Sequence, residues 1–162
     1  NLMIHAALAL AKPGDVIVVD GKGDLSCALT GALMAAHAKK AGIAGFVIDG
    51  AVRDTEDCAK GEFPIFAAGC NPNGPLKGAA GRINWPVSLA GTTVNPGDLI
   101  VGDADGVVVV PRETAAEIVN GAQAKVDSED QRMAAIGRGE VTQAWVGETL
   151  KTLGVLGKDE KL

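Results

Sequence analysis

The chain has 162 residues, which suits a single domain, and its formal net charge is −5. This charge argues against nucleic acid as a partner, because phosphate binding requires an excess of Lys and Arg, and the aromatic residues that would stack on bases make up only 3%. No apolar stretch is long enough to cross a membrane and no signal peptide is visible, so we expect a cytoplasmic protein that contacts no membrane.

The first half of the chain alternates between helical and strand patterns, which Gly and Pro separate. Pro13-Gly14 ends the first helix, and Ser26 is a candidate N-cap for the second. The predicted elements are a helix over Leu2–Ala11, a strand over Val16–Val19, a helix capped by Ser26 that runs to Ala41, a strand over Gly45–Asp49, a helix over Val52–Lys60 and a strand over Phe63–Ala68.

In the second half, a loop rich in Gly and Pro precedes a hairpin and several amphipathic helices. The predicted elements are a loop over Gly69–Gly81, an irregular strand over Ile83–Leu89, a hairpin of Leu99–Val101 and Val107–Val110 with Asp105-Gly106 at its turn, and helices over Thr114–Val126, Glu129–Ile136 and Thr142–Leu153. Early strands with helical crossovers and late helices predict an α/β layer fold. We expect one domain over residues 1–162, of which residues 113–162 form the C-terminal helical part. Because the chain starts within a helical pattern, we also expect the native protein to have a further N-terminal segment.

The first candidate site lies in Gly42–Asp57, where a buried strand runs into a cluster of charged residues. Ligands of open α/β sheets bind beyond the carboxyl ends of the strands, which is where Arg53 and Asp54 fall. An Arg guanidinium binds a carboxylate through two parallel hydrogen bonds, and an ionised carboxylate suits Mg²⁺ or Mn²⁺. The alternative, which spacing alone favours slightly, is an Arg–Asp ion pair that caps the next helix, with Glu56 and Asp57 complementing the helix dipole.

A second candidate is the segment Gly31-Ala32-Leu33-Met34, near the start of a predicted helix. Backbone N–H groups at such a position can bind an anion. The alternative is that Gly31 only allows close packing of the helix against the sheet, and the segment by itself favours that interpretation.

Together these segments resemble the class II 4-hydroxy-4-methyl-2-oxoglutarate / 4-carboxy-4-hydroxy-2-oxoadipate aldolases. The resemblance rests on Gly31–Met34, Gly42-x-x-Gly45, Asp49–Asp54 with Asp57, Pro96–Ile100 and Gly102–Pro111. It implies a ββα swivelling-domain fold with C-terminal helices, which the family shares with the regulator of ribonuclease activity A. It also implies a homotrimer or homohexamer whose active sites lie between subunits.

The same resemblance implies roles for individual residues. The backbone N–H groups of Gly31–Met34 would bind the pyruvyl part of the substrate, although Ala32 replaces the Gly or acidic residue often found there. Arg53 would bind the keto oxygen and stabilise the enolate that forms there, and Asp54 would ligate Mg²⁺ or Mn²⁺ largely through water. Asp57, the other implied catalytic residue, matches an acidic position that resembles the aldolases rather than the ribonuclease regulators.

The implied reaction is metal-dependent cleavage of a 2-oxo diacid into pyruvate plus pyruvate or oxaloacetate, late in the degradation of aromatic acids. Decarboxylation of oxaloacetate would be a side activity, because it passes through the same enolate. An acid from the neighbouring subunit would complete the site, and Glu129, Asp130 and Glu148 are all eligible. The alternatives are a non-catalytic protein that binds a ribonuclease and a dedicated oxaloacetate decarboxylase.

Overall fold

The structure is a computed structural model, and it describes residues 1–161. The helices are α1 (Leu2–Leu10), α2 (Ala32–Lys40), α3 (Thr55–Lys60), α4 (Ala115–Gly137) and α5 (Ala144–Thr152), with a 3₁₀ helix over Arg112–Thr114. The strands are β1 (Val16–Thr30), β2 (Gly45–Val52), β3 (Ile65–Cys70), β4 (Val87–Leu89), β5 (Thr92–Val94), β6 (Leu99–Asp103) and β7 (Gly106–Val110). The chain divides into two compact units, Asn1–Ala115 and Ala116–Leu162. Within the described range, no helix is both long and apolar enough to cross a membrane.

The first unit is built on a parallel sheet of strands in the order β1-β2-β3. Parallel neighbours need crossover connections, and α2 and α3 supply them. The carboxyl ends of all three strands therefore meet at one edge, the position at which open α/β sheets bind ligands. The predicted α/β class is confirmed.

The core of this unit lies between the sheet and the helices packed on it. Phe46 and Phe63 meet edge to face with ring centroids 5.0 Å apart. Two buried small residues of α2, Ala35 and Ala38, belong to the same cluster. Their short side chains allow the helix to approach β2 closely, which holds the start of α2 near the sheet edge.

The largest departure from the sequence prediction is in β1, which we expected to end at Val19. It continues to Thr30 through three register shifts, and its last residues pair with the end of β2. Ser26 does not cap a helix: its N–H and hydroxyl both donate to Asp24, at 2.8 and 3.0 Å, within the irregular part of the strand. These two bonds, the backbone one first, lower the pKa of Asp24. The helix begins instead at Ala32.

Several other predicted boundaries were wrong. β2 extends to Val52 because that residue pairs with both neighbouring strands, so α3 starts three residues later than predicted. The third strand lies two residues further along, at Ile65–Cys70. The two helices predicted on either side of Asp127 form one helix, α4, in which Asp127 accepts a hydrogen bond from Gln123 one turn earlier. The predicted β6–β7 hairpin is confirmed.

Candidate functional site

Two cavities lie beside Arg53 and Asp54 at the carboxyl edge of the sheet. The α2 cavity, of about 40 Å³, is lined by Asn1, Ala28, Leu29, Thr30, Gly31, Leu33, Met34, Arg53, Asp54 and Pro75. The β3 cavity, of about 230 Å³, is lined by Val52, Arg53, Asp54, Thr55, Cys70, Asn71 and Pro72. The two candidate segments of the sequence therefore meet in the α2 cavity, and the Arg–Asp pair belongs to both cavities.

The Asp54 carboxylate connects the two segments. Asp54 is the residue at which α3 begins, but its side chain makes no capping hydrogen bond to that helix. Instead its Oδ2 accepts from the N–H of Ala32 at the start of α2, at 3.2 Å. The predicted alternative of a helix cap is thus wrong for the side chain.

The ion pair between Arg53 and Asp54 is present but loose. Arg53 Nε lies 3.7 Å from Asp54 Oδ2, and the two side chains are 43% and 40% exposed. A partly exposed pair at this distance contributes at most about 1 kcal/mol to stability. Most N–H donors of the Arg53 guanidinium are therefore free to bind another anion. A tight, purely structural ion pair would occupy them.

Gly31 is required at this point by space rather than by backbone conformation. Its φ of −167° is extended, which any residue adopts. A Cβ there would lie 2.6 Å from Asp54 Oδ2 and 2.9 Å from Arg53 Cγ. The N-cap residue of α2 must therefore lack a side chain for the Arg–Asp pair to lie against it.

The start of α2 presents a free backbone donor at Leu33. The N–H of Ala32 is bound to Asp54, and those of Met34 and Ala35 bond to Gly31 O. The N–H of Leu33 has no acceptor among the described residues, and the Leu33 side chain is 85% exposed. A free N–H at a helix N-terminus, beside an Arg, is suited to an anion.

Two residues of the α2 cavity were not predicted from the sequence. Asn1 and Thr30 each have a buried side-chain oxygen without a hydrogen-bond partner in the described structure. Asn1 Nδ2 donates to Leu29 O at 2.9 Å, which fixes its amide and leaves Oδ1 unpaired. No spacing signal could have identified them: Asn1 directly precedes the first predicted helix, and Thr30 was expected inside the second.

Asp57, the second predicted catalytic residue, lies outside both cavities. It is exposed in the first turn of α3. Glu129, Asp130 and Glu148 are exposed residues of the second unit, on α4 and α5. Their proposed roles stay predictions.

Cys58 is not a nucleophile for this site. Its Sγ donates to Arg53 O at 3.6 Å. Burial, and then the negative charges of Asp54 and Asp57, raise the pKa of the thiol above its usual value. The thiol therefore stays protonated near neutral pH, whereas the reactive form of a cysteine is the thiolate.

The residues present fit a metal ion that keeps most of its water. Among residues 1–161, no three His, Cys, Asp or Glu side chains cluster as a ligand set would. Asp54 offers one carboxylate, whose Oδ1 receives no hydrogen bond from the described residues. Mg²⁺ is commonly held by one or two carboxylates, several waters and the substrate, so a single Asp suits it.

A helix start with a free N–H, beside an Arg–Asp pair at the carboxyl edge of a parallel sheet, is an arrangement suited to a small anion. Residues 1–109 match the sequence model of the family described as "RraA-like: Aldolase/RraA". A protein of Halalkalibacterium halodurans named "Putative 4-hydroxy-4-methyl-2-oxoglutarate aldolase" is 44% identical over 136 residues, which are 84% of this chain and 65% of that protein. The chain belongs to the RraA-like family.

Solved structures agree with this assignment. An uncharacterized protein from Pseudomonas syringae superposes with a TM-score of 0.77 at 34% identity, over 81% of this chain and 66% of the other. RraAS2 of Streptomyces coelicolor, described as an unusual member of the RNase ES inhibitor RraA protein family, gives 0.74 at 33% identity over 80% and 67%. The resemblance found in the sequence and the fold it implied are confirmed. The chain spans 65% of the length of the Halalkalibacterium relative.

Proposed function

We propose that this chain belongs to a divalent-metal-dependent aldolase that cleaves 4-hydroxy-4-methyl-2-oxoglutarate or 4-carboxy-4-hydroxy-2-oxoadipate. The products are pyruvate and, respectively, pyruvate or oxaloacetate. The observation that carries the proposal is the meeting of Arg53, Asp54 and the free N–H of Leu33 at one sheet edge. The name of the Halalkalibacterium relative supports the same reaction class.

Arg53 has the central role in the proposed reaction. A water molecule takes the proton of the 4-hydroxyl, so that C4 becomes a carbonyl as the C3–C4 bond breaks. The electron pair of that bond forms the C2–C3 enolate, whose charge lies on the former keto oxygen. Arg53 stabilises the enolate oxygen that results, since its ion pair with Asp54 is loose and leaves donors free. A proton taken up at C3 then completes pyruvate. The Leu33 N–H binds the substrate carboxylate.

Asp54 holds the metal, and Mg²⁺ or Mn²⁺ acts as a Lewis acid at the 2-oxo acid when bound. The hydrogen bond from Ala32 fixes Oδ2, so Oδ1 is the oxygen that would be available to hold the ion or its water. Because Asp57 lines neither cavity, we assign it no direct contact with the substrate. Oxaloacetate decarboxylation follows as a side activity through the same enolate.

The test is pyruvate release from a panel of 2-oxo diacids, followed with lactate dehydrogenase and NADH. We expect turnover of 4-hydroxy-4-methyl-2-oxoglutarate with Mg²⁺ or Mn²⁺, its loss with EDTA, and its recovery when the metal is restored. Metal without protein is the control for oxaloacetate, which metals decarboxylate unaided. Turnover that EDTA leaves unchanged would contradict the metal role, and no turnover of any diacid by a folded protein would contradict the aldolase.

A second candidate function is suggested by the name of the Streptomyces neighbour, which belongs to a family of ribonuclease inhibitors. On that hypothesis the chain binds a ribonuclease and catalyses nothing. A pull-down that captures a ribonuclease from a cell extract, together with no metal-dependent turnover, would favour it over the aldolase.

A further inference from the structure

Thr30 is the one polar residue that is buried among residues 1–161, with 3% of its surface exposed. It is the last residue of β1, and its register partner is Val52 of β2. Its backbone oxygen accepts from the N–H of Arg53 at 3.0 Å. The backbone of Thr30 is therefore fixed by β2 and Arg53, and it lies directly before Gly31.

The Thr30 hydroxyl has no hydrogen-bond partner. Its Oγ1 is buried, and no donor or acceptor of the described chain lies within bonding geometry. Buried hydroxyls in folded proteins are nearly always paired, because an unpaired one loses its bond to water without replacement. The missing partner must come from outside the described chain.

The surroundings indicate what kind of partner fits. Thr30 lines the α2 cavity together with Leu33 and Arg53. Two of its polar neighbours are donors, since Leu33 offers a free N–H and Arg53 a guanidinium. The Asp54 carboxylate, which lines the same cavity, already accepts from the N–H of Ala32. A cavity of about 40 Å³ has room for a group on the order of three water molecules in size. An anionic acceptor with more than one oxygen satisfies all three donors at once.

We propose that the Thr30 hydroxyl donates a hydrogen bond to the carboxylate of a 2-oxo acid, beside the Leu33 N–H. Rotation about χ1 moves the hydroxyl between staggered positions, so the side chain can turn Oγ1 toward the ligand while the strand stays in place. With its carboxylate held there, the ligand directs its keto oxygen toward Arg53. The choice of a 2-oxo acid as the ligand rests on the proposed function.

The test compares Thr30→Val, which replaces the hydroxyl with a methyl group of similar size, with Thr30→Ser, which keeps it. Pyruvate and oxalate are titrated into the full-length protein with Mg²⁺, and binding is measured by calorimetry. We expect Thr30→Val to weaken binding of both about tenfold or more, the effect of losing a hydrogen bond to a charged group. Thr30→Ser stays within about twofold of the wild type. Thr93→Val, at an exposed position of β5, is the control for the substitution itself.

The Tm of the ligand-free Thr30→Val variant gives a second readout. If the hydroxyl had a structural role, its removal would lower the Tm. Because no group of the described chain bonds to the hydroxyl, we expect the Tm of Thr30→Val to be unchanged or higher. Unchanged affinity for pyruvate and oxalate in Thr30→Val would overturn the proposal. A clear fall in Tm without ligand would also overturn it, because the hydroxyl would then be bonded to a structural water.

Turnover of 4-hydroxy-4-methyl-2-oxoglutarate, measured in parallel, separates this inference from the proposed function. Binding of pyruvate that depends on Thr30, without turnover of any diacid by the wild type, would sustain the inference and reject the aldolase. Wild-type turnover with the same KM in Thr30→Val would reject the inference and leave the aldolase standing. A wild type that neither binds nor turns over these acids would reject both.

Discussion

Asp54 adopts a left-handed backbone conformation, with φ of 55°, which few residues other than Gly, Asn and Asp adopt. Two hydrogen bonds hold it there: its backbone oxygen accepts from Cys58 at 2.9 Å, and its carboxylate accepts from Ala32 at 3.2 Å. Such a conformation costs on the order of 1 kcal/mol. The fold thus gives up some stability to direct this carboxylate away from its own helix and toward the α2 cavity.

Replacement of Asp54 separates its charge from its conformation. Asp54→Asn keeps an oxygen for the Ala32 N–H and tolerates the left-handed region, so we expect stability close to the wild type. Loss of the charge should raise the Mg²⁺ concentration for half-maximal activity at least about tenfold. Mutation of residues that only hydrogen-bond to a metal ligand already has effects of that size. Asp54→Ala should have the same metal defect and lose about 1 kcal/mol more in urea unfolding. An Asn variant with an unchanged Mg²⁺ requirement would show that Asp54 does not hold the metal.

At the scale of elements, the site depends on how closely α2 approaches the end of β2. Gly31→Ala would place a Cβ 2.6 Å from Asp54 Oδ2 without straining the backbone. We expect kcat to fall about 10²-fold, because shifts of this order at reacting groups have such effects, while circular dichroism shows the same fold. Gly78→Ala is the matched control, since no atom lies within 4 Å of the added Cβ. Full activity in Gly31→Ala would show that activity does not depend on the close contact between Gly31 and Asp54.

Elements with strong local signals were predicted well, and those set by pairing across the sheet were not. The β6–β7 hairpin has Asp105-Gly106 at its turn, a sequence that favours this geometry by itself. The β4–β5 hairpin was missed because its turn is Ala90-Gly91, both at positive φ, and Ala rarely adopts that conformation. β1 was cut short because Ser26 resembles a helix cap, whereas tertiary pairing with β2 decides its conformation.

The candidate site shows the same division. Arg53 and Asp54 were predicted at a strand end, and the sequence motif identified the Gly31 segment. The hydrogen bond that joins the two segments links residues 22 positions apart, so no local pattern encodes it. Thr30 could not have been identified either, because its significance lies in an unpaired atom that only the folded chain reveals.

At the scale of the whole molecule, many large apolar side chains are exposed. They occur on the β6–β7 hairpin, including Leu99, Val101 and Val108, and on α4, including Ile118, Val126 and Met133. Exposed apolar side chains often lie at contacts between chains, as well as singly on ordinary surfaces. The homo-oligomer, whether a trimer or a hexamer, stays a prediction.

Mixing variants tests whether the site is shared between subunits. Arg53→Ala should lose about 10²-fold or more in kcat through lost stabilisation of the enolate. Among Glu129→Gln, Asp130→Asn and Glu148→Gln, we expect one to be similarly inactive. Unfolded together and refolded as a mixture, that variant and Arg53→Ala should regain about one quarter of wild-type activity, the share of sites that receive both intact residues in a cyclic oligomer. No recovery in mixed oligomers, verified by mass spectrometry, would place each site within one subunit.

The parallel order of β1, β2 and β3 also determines when the site can exist during synthesis. Asn71 N–H bonds to Val52 O at 3.0 Å, Asn73 O accepts from Ala28 at 2.9 Å, and Gly74 lies against the Arg53 guanidinium. We expect non-local strand pairings of this kind to form slowly, because the chain between the strands must first close into a loop. A nascent chain that ends before Gly74 therefore has Arg53 and Asp54 at an open edge without their surroundings. Translation products truncated before Gly74 should contain Arg53 and Asp54 but lack the proposed activity.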